Sequence, residues 1–292
     1  MNFAIYGKTL SPEYLLYVQH IVDKLQDSGC GISVYEPFYE VLESQISFLQ
    51  PPPFFNDSKG LFPDTDLLLS IGGDGTLLGT ILLVKDSGIP VLGVNMGKLG
   101  FLSSVSKEEV LNGIDEILSG RYKLDQRSLL KVDTINNPFG DLNIALNDLM
   151  IFKRAPTSMI TVQTWVNDEY LNSYWGDGLI ISTPTGSTGY SMSCGGPIIL
   201  PGSDNFVITP IATHNLTVRP MVIPDGSIIR IKVEGRDTRF IVGLDSRSCE
   251  FDFETEFIVR RAEFKIKLLQ MENQNFFKTI RAKLNWGLDA RN

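Results

Sequence analysis

Three glycines surround a single carboxylate in the stretch Ser70–Thr80, which reads SIGGDGTLLGT. It follows an apolar run and precedes a helix-like segment. Glycines at a strand-to-helix turn let the backbone approach a phosphate, and free N–H groups at the helix start bind the anion. A carboxylate there repels phosphate, so Asp74 is expected to take a proton from a hydroxyl nucleophile, to hold Mg²⁺, or to cap the helix.

Two familiar phosphate motifs do not fit this chain. A Walker loop requires GxxxxGK[ST], but the stretch from Gly93 to Leu99 has neither the spacing nor the hydroxyl. The dinucleotide fingerprint GxGxxG fails because Leu78 stands where the last glycine belongs. The turn is therefore a different phosphate loop or none.

A second unusual stretch runs from Asp177 to Pro197 and reads DGLIISTPTGSTGYSMSCGGP. It opens as a strand and continues as a series of hydroxyls and glycines. Short hydroxyl donors and exposed amides suit ribose and phosphate oxygens, and Tyr190 could stack on a base or hold a ribose. The alternative is a solvated loop rich in serine and threonine, which the density of these residues disfavours.

Weaker signals lie elsewhere in the chain. The pair Asn147-Asp148 could bind two sugar hydroxyls or an adenine edge, although Asn-Asp is more often a turn. Asp245 is similarly ambiguous. His214 is interpreted as a buried structural histidine and His20 as a surface residue, so no Ser–His–Asp triad stands out.

Strands and helices alternate through residue 120, which favours a parallel sheet covered by helices. We predict strands at 3–6, 32–35, 67–71 and 91–95, and helices at 11–29, 36–50, 77–85 and 106–120. The proline-rich segment 51–63 predicts a mobile surface loop without an assignable functional motif.

After Asp125 strand-like runs dominate, which favours an all-β, sandwich-like region. The predicted strands are 129–135, 145–152, 159–165, 169–175, 179–182, 206–211, 228–233, 239–242 and 257–269. Helical spacing returns at 275–284. The predicted organisation is an α/β domain (1–125), an all-β domain (126–270) and a helical tail (271–292) that packs back on the first domain.

Composition narrows the class of partner. The net charge of −8 and the pI of about 4.9 disfavour a nucleic-acid or anionic-membrane binder. The three cysteines are far apart and form no CxxC pair, which disfavours a disulfide framework or a zinc site. Without a signal peptide or a membrane-length apolar run, a cytoplasmic location is expected.

Six segments together resemble one family. They are GGDGT, Asn147-Asp148, DGLIISTPTGSTGY, Gly195-Gly196-Pro197, TPIATHNLTVRP and FFKTIRAKLNWG, and they occur in this order over nearly the whole chain. The chain resembles the NAD kinases of the bacterial type. Lipid kinases and phosphofructokinases share GGDGT, whereas STPTGSTGY is more specific. The resemblance implies transfer of the γ-phosphate of ATP to the 2′-hydroxyl of the adenosine ribose of NAD, a divalent cation such as Mg²⁺, and a homodimer or homotetramer.

The resemblance also implies roles for individual residues. Asp74 would be the base that activates the 2′-hydroxyl. The phosphate turn would be shaped by Gly72, Gly73, Gly75 and Thr76. Phe101 would pack near the adenosine, Asn147 and Asp148 would hold the nicotinamide-side ribose or neighbouring groups, and Asp177 would face the nicotinamide end. The adenine and ribose pocket and its surroundings would be lined by Thr185, Thr188, Gly189, Tyr190, Ser191, Met192, Ser193, Ser158, Ala212, Asp245 and Arg247. The resemblance assigns no metal ligands.

The chain departs from the family pattern at three places. Asp148 stands where many members have glutamate, Gly189 where many have alanine, and Trp175-Gly176 where some have an arginine that would contact the substrate phosphates. Two rival functions are another GGDGT kinase acting on a lipid or sugar phosphate, and a catalytically silent NAD(P)-binding regulator. The segment Asp177–Pro197 disfavours the first rival and an intact Asp74 the second.

Overall fold

Short apolar runs form a parallel sheet in the first part of the chain. The computed structural model describes residues 1–61, 63–97, 100–103, 105–135 and 137–286. The strands of this sheet are β1 (Asn2–Gly7), β2 (Gly31–Tyr35), β3 (Phe54–Phe55), β4 (Leu67–Ile71), β5 (Val91–Asn95) and β6 (Val105–Ser106). Every residue of β4 and β5 is buried, as parallel strands covered on both faces require.

Helices cover both faces of this sheet. The helices of the chain are α1 (Leu15–Asp27), α2 (Glu36–Leu42), α3 (Asp74–Val84), α4 (Val110–Leu118), α5 (Tyr190–Ser193) and α6 (Phe276–Leu284). Phe3 and Ile5 of β1 share a core with α1 and α4. Tyr6 points to the opposite face, where its hydroxyl lies against Gly79 of α3.

The strand order predicts a ligand crevice at a defined edge of this sheet. The order is β3-β2-β1-β4-β5, so the connections run in opposite directions from β1 and from β4. Open α/β sheets bind ligands at the carboxyl ends of the two strands that flank such a reversal. Gly7 ends β1, pairs with Ile71 of β4, and thereby lies beside the start of the glycine turn.

Three local predictions differ from the structure in this part of the chain. The helix predicted to reach Gln50 ends at Leu42, because the chain turns there and packs Ile46 into the core. Phe54 and Phe55, within the predicted loop 51–63, pair with β2, and Phe55 is buried. The helix predicted from Ser106 begins four residues later, at Val110, although the side chains of Ser106 and Glu109 form a hydrogen bond at 3.0 Å.

The chain divides into two compact units. The first comprises residues 1–126 and the segment from Ile266 onward, and the second comprises Arg127–Lys265. Two of the strands given next, β7 and β18, each run from one unit into the other. The remaining strands are β7 (Tyr122–Thr134), β8 (Ile144–Ala145), β9 (Asp148–Lys153), β10 (Ile160–Val166), β11 (Glu169–Gly176), β12 (Gly178–Ser182), β13 (Asn205–Ile211), β14 (Met221–Pro224), β15 (Ile229–Gly235), β16 (Arg239–Leu244), β17 (Arg247–Asp252) and β18 (Glu256–Met271).

The second unit packs antiparallel sheets around one apolar core. One sheet has the order β14-β13-β12-β9-β16-β17, and the other contains β11, β10, β15 and the first residues of β18. Alternate residues of both sheets, such as Ile181 and Val162, enter the shared core. Asn167 and Asp168 form the tight turn of the β10–β11 hairpin with positive φ, as such turns require. The predicted fold class, an α/β domain followed by an all-β domain, is confirmed.

The predicted C-terminal helix is α6 of the first unit. Asn275 caps it, because its side chain accepts the N–H of Lys278 at 2.9 Å. Asn285 ends it in the left-handed conformation. Residues 287–292 of the predicted tail, Phe62 of the proline-rich segment, and Lys98 and Leu99 lie outside the described residues. None of the helices in the described ranges is long and apolar enough to cross a membrane.

A glycine in the centre of the second unit provides a test of the sheet packing. A Cβ at Gly178 would lie 2.0 Å from the carbonyl oxygen of Ile151, a backbone atom that cannot rotate away. We expect Gly178→Ala to lower the free energy of unfolding by about 1–3 kcal/mol, measured by urea denaturation. Gly226→Ala is the matched control, since open space surrounds that position. Equal urea midpoints for the two variants would contradict this packing.

Candidate active site

The glycine turn is bare where β4 passes into α3. Gly72 has φ of 148°, and a Cβ there would lie 2.3 Å from Oγ1 of Thr76, so this position needs glycine. Gly73 and Gly75 are exposed, with open space where their side chains would be. The first N–H groups of α3 therefore face an accessible surface, which is the arrangement that binds phosphate at a helix start.

Asp74 is the first residue of α3, and its carboxylate binds a neighbouring loop. Its Oδ2 accepts the N–H of Phe101 at 2.8 Å, and its Oδ1 accepts those of Leu102 and Ser103 at 3.1 and 2.9 Å. Gly73 occupies the N-cap position, so of the three alternatives for Asp74 the helix cap is wrong. Three charge-assisted hydrogen bonds hold the carboxylate in one orientation.

The loop after β5 is shaped around this carboxylate. A Cβ at Gly100 would lie 1.8 Å from Oδ1 of Asp74, so the backbone approaches the carboxylate as closely as it can. Phe101 is half-buried beside it. Each carboxylate oxygen has two lone pairs, and Oδ2 accepts one N–H from the described residues, so it retains a site for a substrate proton.

Asp245 makes a parallel arrangement in the second unit. It lies in the β16–β17 turn with φ of 52°, and its carboxylate accepts the N–H groups of Leu146, Asn147 and Asp148 at 2.9, 2.8 and 3.3 Å. Burial raises the pKa of Asp245, while the three amides and Arg247 oppose that shift. Arg247 donates to the carbonyl oxygens of Leu142 and Ile144 and so secures the segment that leads into the pair Asn147-Asp148.

Asp148 is a second carboxyl group of this cluster with a raised pKa. Burial, with a smaller contribution from the nearby charge of Asp245, raises its pKa to about 7. A carboxyl group with that pKa changes its charge near neutrality, and it can be neutral or ionised under ordinary assay conditions. Perturbed groups of this kind cluster at functional sites, although structural networks also produce them.

The hydroxyl-rich segment uses several of its hydroxyls internally. Ser191 is fully buried and its hydroxyl bonds that of Thr209 at 2.8 Å. Thr188 donates to the carbonyl of Thr185, whose own hydroxyl accepts from Arg127 at 3.2 Å. These hydroxyls rigidify the segment, and the buried Arg127 is a supporting residue that no local sequence signal identified.

Other residues of the hydroxyl-rich segment are exposed. Tyr190 opens α5 directly after Gly189 with 44% of its surface exposed, and its pKa is raised by partial burial and by Cys194 and Asp177 nearby. Met192 is half-buried and Ser193 is exposed. Tyr190 is thus the accessible ring of this segment, where a base or ribose could pack.

The outlying predicted positions have distinct surroundings. Asp177 forms an ion pair with Lys153 at 2.6 Å, which the sequence reading did not anticipate. Ala212 is exposed in the left-handed conformation with φ of 44°, and Ser158 is half-buried in the loop after β9. His214 is exposed, with its ring 4.6 Å from that of Trp175. The prediction of a buried His214 is therefore wrong.

No protein cage for a metal is formed by the part of the chain that the structure describes. No cluster of three or more His, Cys, Asp or Glu side chains occurs among these residues. Mg²⁺ is commonly held by one or two carboxylates together with substrate phosphates, and it retains several waters. The donor set therefore fits a cation that arrives with a nucleotide.

The family comparisons cover both units. The N-terminal domain of ATP-NAD kinases matches residues 3–122, and their C-terminal domain matches residues 146–271. The chain belongs to the NAD kinase family. The predicted enzyme class is confirmed by this membership. The NAD kinase of Cytophaga hutchinsonii is 46% identical over 293 residues and that of Flavobacterium psychrophilum 42% over 294, with full coverage of both chains in each case.

Solved structures share the fold of this family member. Yeast NADH kinase complexed with NADH matches with a TM-score of 0.88 at 24% identity, over 99% of this chain and 88% of the yeast chain. An NAD kinase from Archaeoglobus fulgidus in complex with ATP matches with a TM-score of 0.76 at 24% identity, over 97% and 99% of the two chains. These matches confirm the fold.

The raised pKa of Asp148 predicts a pH-dependent stability. The folded carboxyl group keeps its proton up to about pH 7, whereas the unfolded one loses it near the ordinary pKa of 3.8. The folded state binds more protons between these values, so the free energy of unfolding falls as the pH rises through this window. Between about pH 5 and pH 7, we expect wild type to lose up to about 1.4 kcal/mol per pH unit relative to Asp148→Asn.

Urea denaturation of both proteins at several pH values measures this difference. The ligand-free protein is used, because a bound nucleotide would add its own pH dependence. Parallel stability curves for wild type and Asp148→Asn would show that Asp148 ionises in the folded state at its ordinary pKa.

Proposed function

We propose that the protein transfers the γ-phosphoryl group of ATP to the 2′-hydroxyl of the adenosine ribose of NAD, giving NADP and ADP. Asp74 acts as the general base. Family membership and full-length relatives named NAD kinase support the overall reaction. The role of Asp74 is inferred from one observation. Three N–H groups hold its carboxylate in one orientation, and the residue lies between two exposed glycines.

The turn contributes position and charge. The exposed backbone at Gly73 and Gly75 lets phosphate approach the start of α3, whose N–H groups and helix dipole favour an anion. Asp74 removes the proton of a weakly acidic hydroxyl as that oxygen attacks phosphorus. The rest of phosphoryl transfer depends on in-line positioning and on neutralising the phosphates. Mg²⁺ enters as part of the Mg–ATP substrate and neutralises part of that charge.

Asn147, Asp148 and Tyr190 are proposed to bind NAD. Ionised Asp148 accepts hydrogen bonds from two neighbouring ribose hydroxyls, and the amides held by Asp245 fix its backbone. Tyr190 presents an exposed ring against which the adenine or ribose packs. The other predicted pocket residues, the cytoplasmic location and the homo-oligomeric state stay predictions from the sequence.

Replacement of Asp74 tests its role as the base. We expect Asp74→Asn to lower kcat by about 10²–10⁴-fold, while the affinity for NAD stays largely intact. NADP formation is followed with a coupled NADP-specific dehydrogenase, and NAD binding by calorimetry. A variant that keeps full turnover would exclude Asp74 as the base.

Asp74 also anchors the loop 100–103, so a control must separate the two roles. Gly100→Ala forces a Cβ against the carboxylate and disturbs the anchor while retaining the base. We expect this variant to lose less turnover than Asp74→Asn and to keep the same pH profile as wild type. An equal loss in both variants would assign Asp74 a purely structural role.

The titration of Asp148 predicts how NAD affinity changes with pH. The ionised carboxylate accepts both ribose hydroxyls, and its fraction grows as the pH rises towards its pKa of about 7. We expect the affinity for NAD to increase up to about tenfold per pH unit below that pKa and to level off above it. Calorimetry should show weaker, pH-independent binding for Asp148→Asn. The same slope in both proteins would exclude Asp148 as the ribose ligand.

A further inference from the structure

The last turn of α6 brings a lysine to the loop that holds Asp74. The Nζ atom of Lys283 lies 5.6 Å from the centroid of the Phe101 ring, within range of a cation–π interaction. The N–H of Phe101 donates to Oδ2 of Asp74. All three residues belong to the first unit. The ring of Phe101 therefore lies near the Lys283 ammonium group, while the N–H of Phe101 binds the carboxylate of Asp74.

The ammonium group of Lys283 has no counter-ion in the described part of the chain. No ion pair or hydrogen bond to it is formed by the residues that the structure describes, although its side chain is half-buried. Lys153 and Lys278 differ, because their ammonium groups bind Asp177 and the carbonyl of Asn273. Partial burial of a charge without a partner among the described residues is unfavourable, so the arrangement suits an anion that arrives with a substrate.

The glycine turn creates a need for such a cation. It supplies backbone N–H groups and one carboxylate, and the sequence from Ser70 to Thr80 contains no lysine or arginine. Phosphoryl transfer spreads negative charge over the oxygens of the migrating group, and other kinases place a lysine or arginine there. An acidic chain with a net charge of −8 provides no general positive field that could substitute for a local cation.

We propose that Lys283 binds the phosphoryl group that is transferred from ATP, with its ammonium steered by the face of Phe101. The inference rests on the proposed function. The bond between the 2′-oxygen and the γ-phosphorus forms, the bond from that phosphorus to the ADP oxygen breaks, and ADP keeps the electron pair. Asp74 receives the hydroxyl proton, and Lys283 stabilises the charge on the migrating group without changing its own protonation.

A structural role for Lys283 is the competing explanation. Cations in the last turn of a helix interact favourably with the helix dipole, and both Arg281 and Lys283 occupy that turn of α6. Arg281 is exposed, so Arg281→Gln removes a dipole interaction of the same kind. It is the matched control for Lys283→Gln, and Lys283→Arg tests whether a positive charge is sufficient.

The experiment measures NADP formation with each substrate varied in turn. We expect Lys283→Gln to lower kcat/KM for ATP by about 10- to 100-fold, the loss of a hydrogen bond to a charged group. KM for NAD should stay within about twofold of wild type, as should every constant of Arg281→Gln. Lys283→Arg should restore most of the activity. Calorimetry with Mg–ATP should show weaker binding for Lys283→Gln.

Different results would contradict the role of Lys283 and the proposed function. Wild-type kinetics for ATP in Lys283→Gln, or an equal loss in Arg281→Gln, would overturn the role of Lys283. A selective rise in KM for NAD would also overturn it, because the lysine would then bind the dinucleotide pyrophosphate. Absence of NADP from wild type would overturn the proposed function instead. In that case the calorimetric comparison with Mg–ATP still decides whether Lys283 binds the triphosphate.

Discussion

In each unit, one carboxylate accepts three consecutive backbone N–H groups and thereby holds a loop that carries residues of the candidate site. Asp74 binds the amides of residues 101–103, and Asp245 binds those of residues 146–148. Asp74 begins α3 directly after the glycine turn, and Asp245 lies in the β16–β17 turn. Charge-assisted hydrogen bonds of this kind are about twice as strong as neutral ones. Each unit thereby fixes a loop that its sheet alone would not position.

The two anchors leave their carboxylates in different chemical situations. Asp74 lies at the start of a helix between two exposed glycines. Asp245 lies in a hairpin turn, and its charge acts on Asp148, whose pKa rises mainly through burial. Under the proposed function, Asp74 also serves as the reactive group, whereas Asp245 acts on a neighbouring carboxyl group. The same hydrogen-bond pattern thereby occurs beside the proposed base in one unit and beside the proposed ribose ligand in the other.

Local patterns in the sequence predict the strands that are buried along their whole length and the turns whose composition is unusual. Apolar runs such as Leu67–Ile71 are buried on both faces, and their composition therefore predicts a strand. The glycine turn is recognised from its three glycines around one aspartate. The sequence does not predict strand β17, because exposed polar side chains occupy every second position of it. The bond between Asp245 and Asn147 spans 98 residues, and no local period contains such a contact. His214 was misjudged because its ring packs on the exposed face of Trp175 instead of entering a core.

The central claim is that a γ-phosphoryl group passes from ATP to the 2′-hydroxyl of NAD. Phosphorus NMR of a reaction that contains the protein, NAD, ATP and Mg²⁺ tests it most directly, because it follows donor and acceptor together. We predict one new phosphomonoester resonance, assigned to the adenosine 2′-position, for every ADP formed. ADP that accumulates with inorganic phosphate and an unchanged dinucleotide, or a phosphate at the 3′-position, would contradict it.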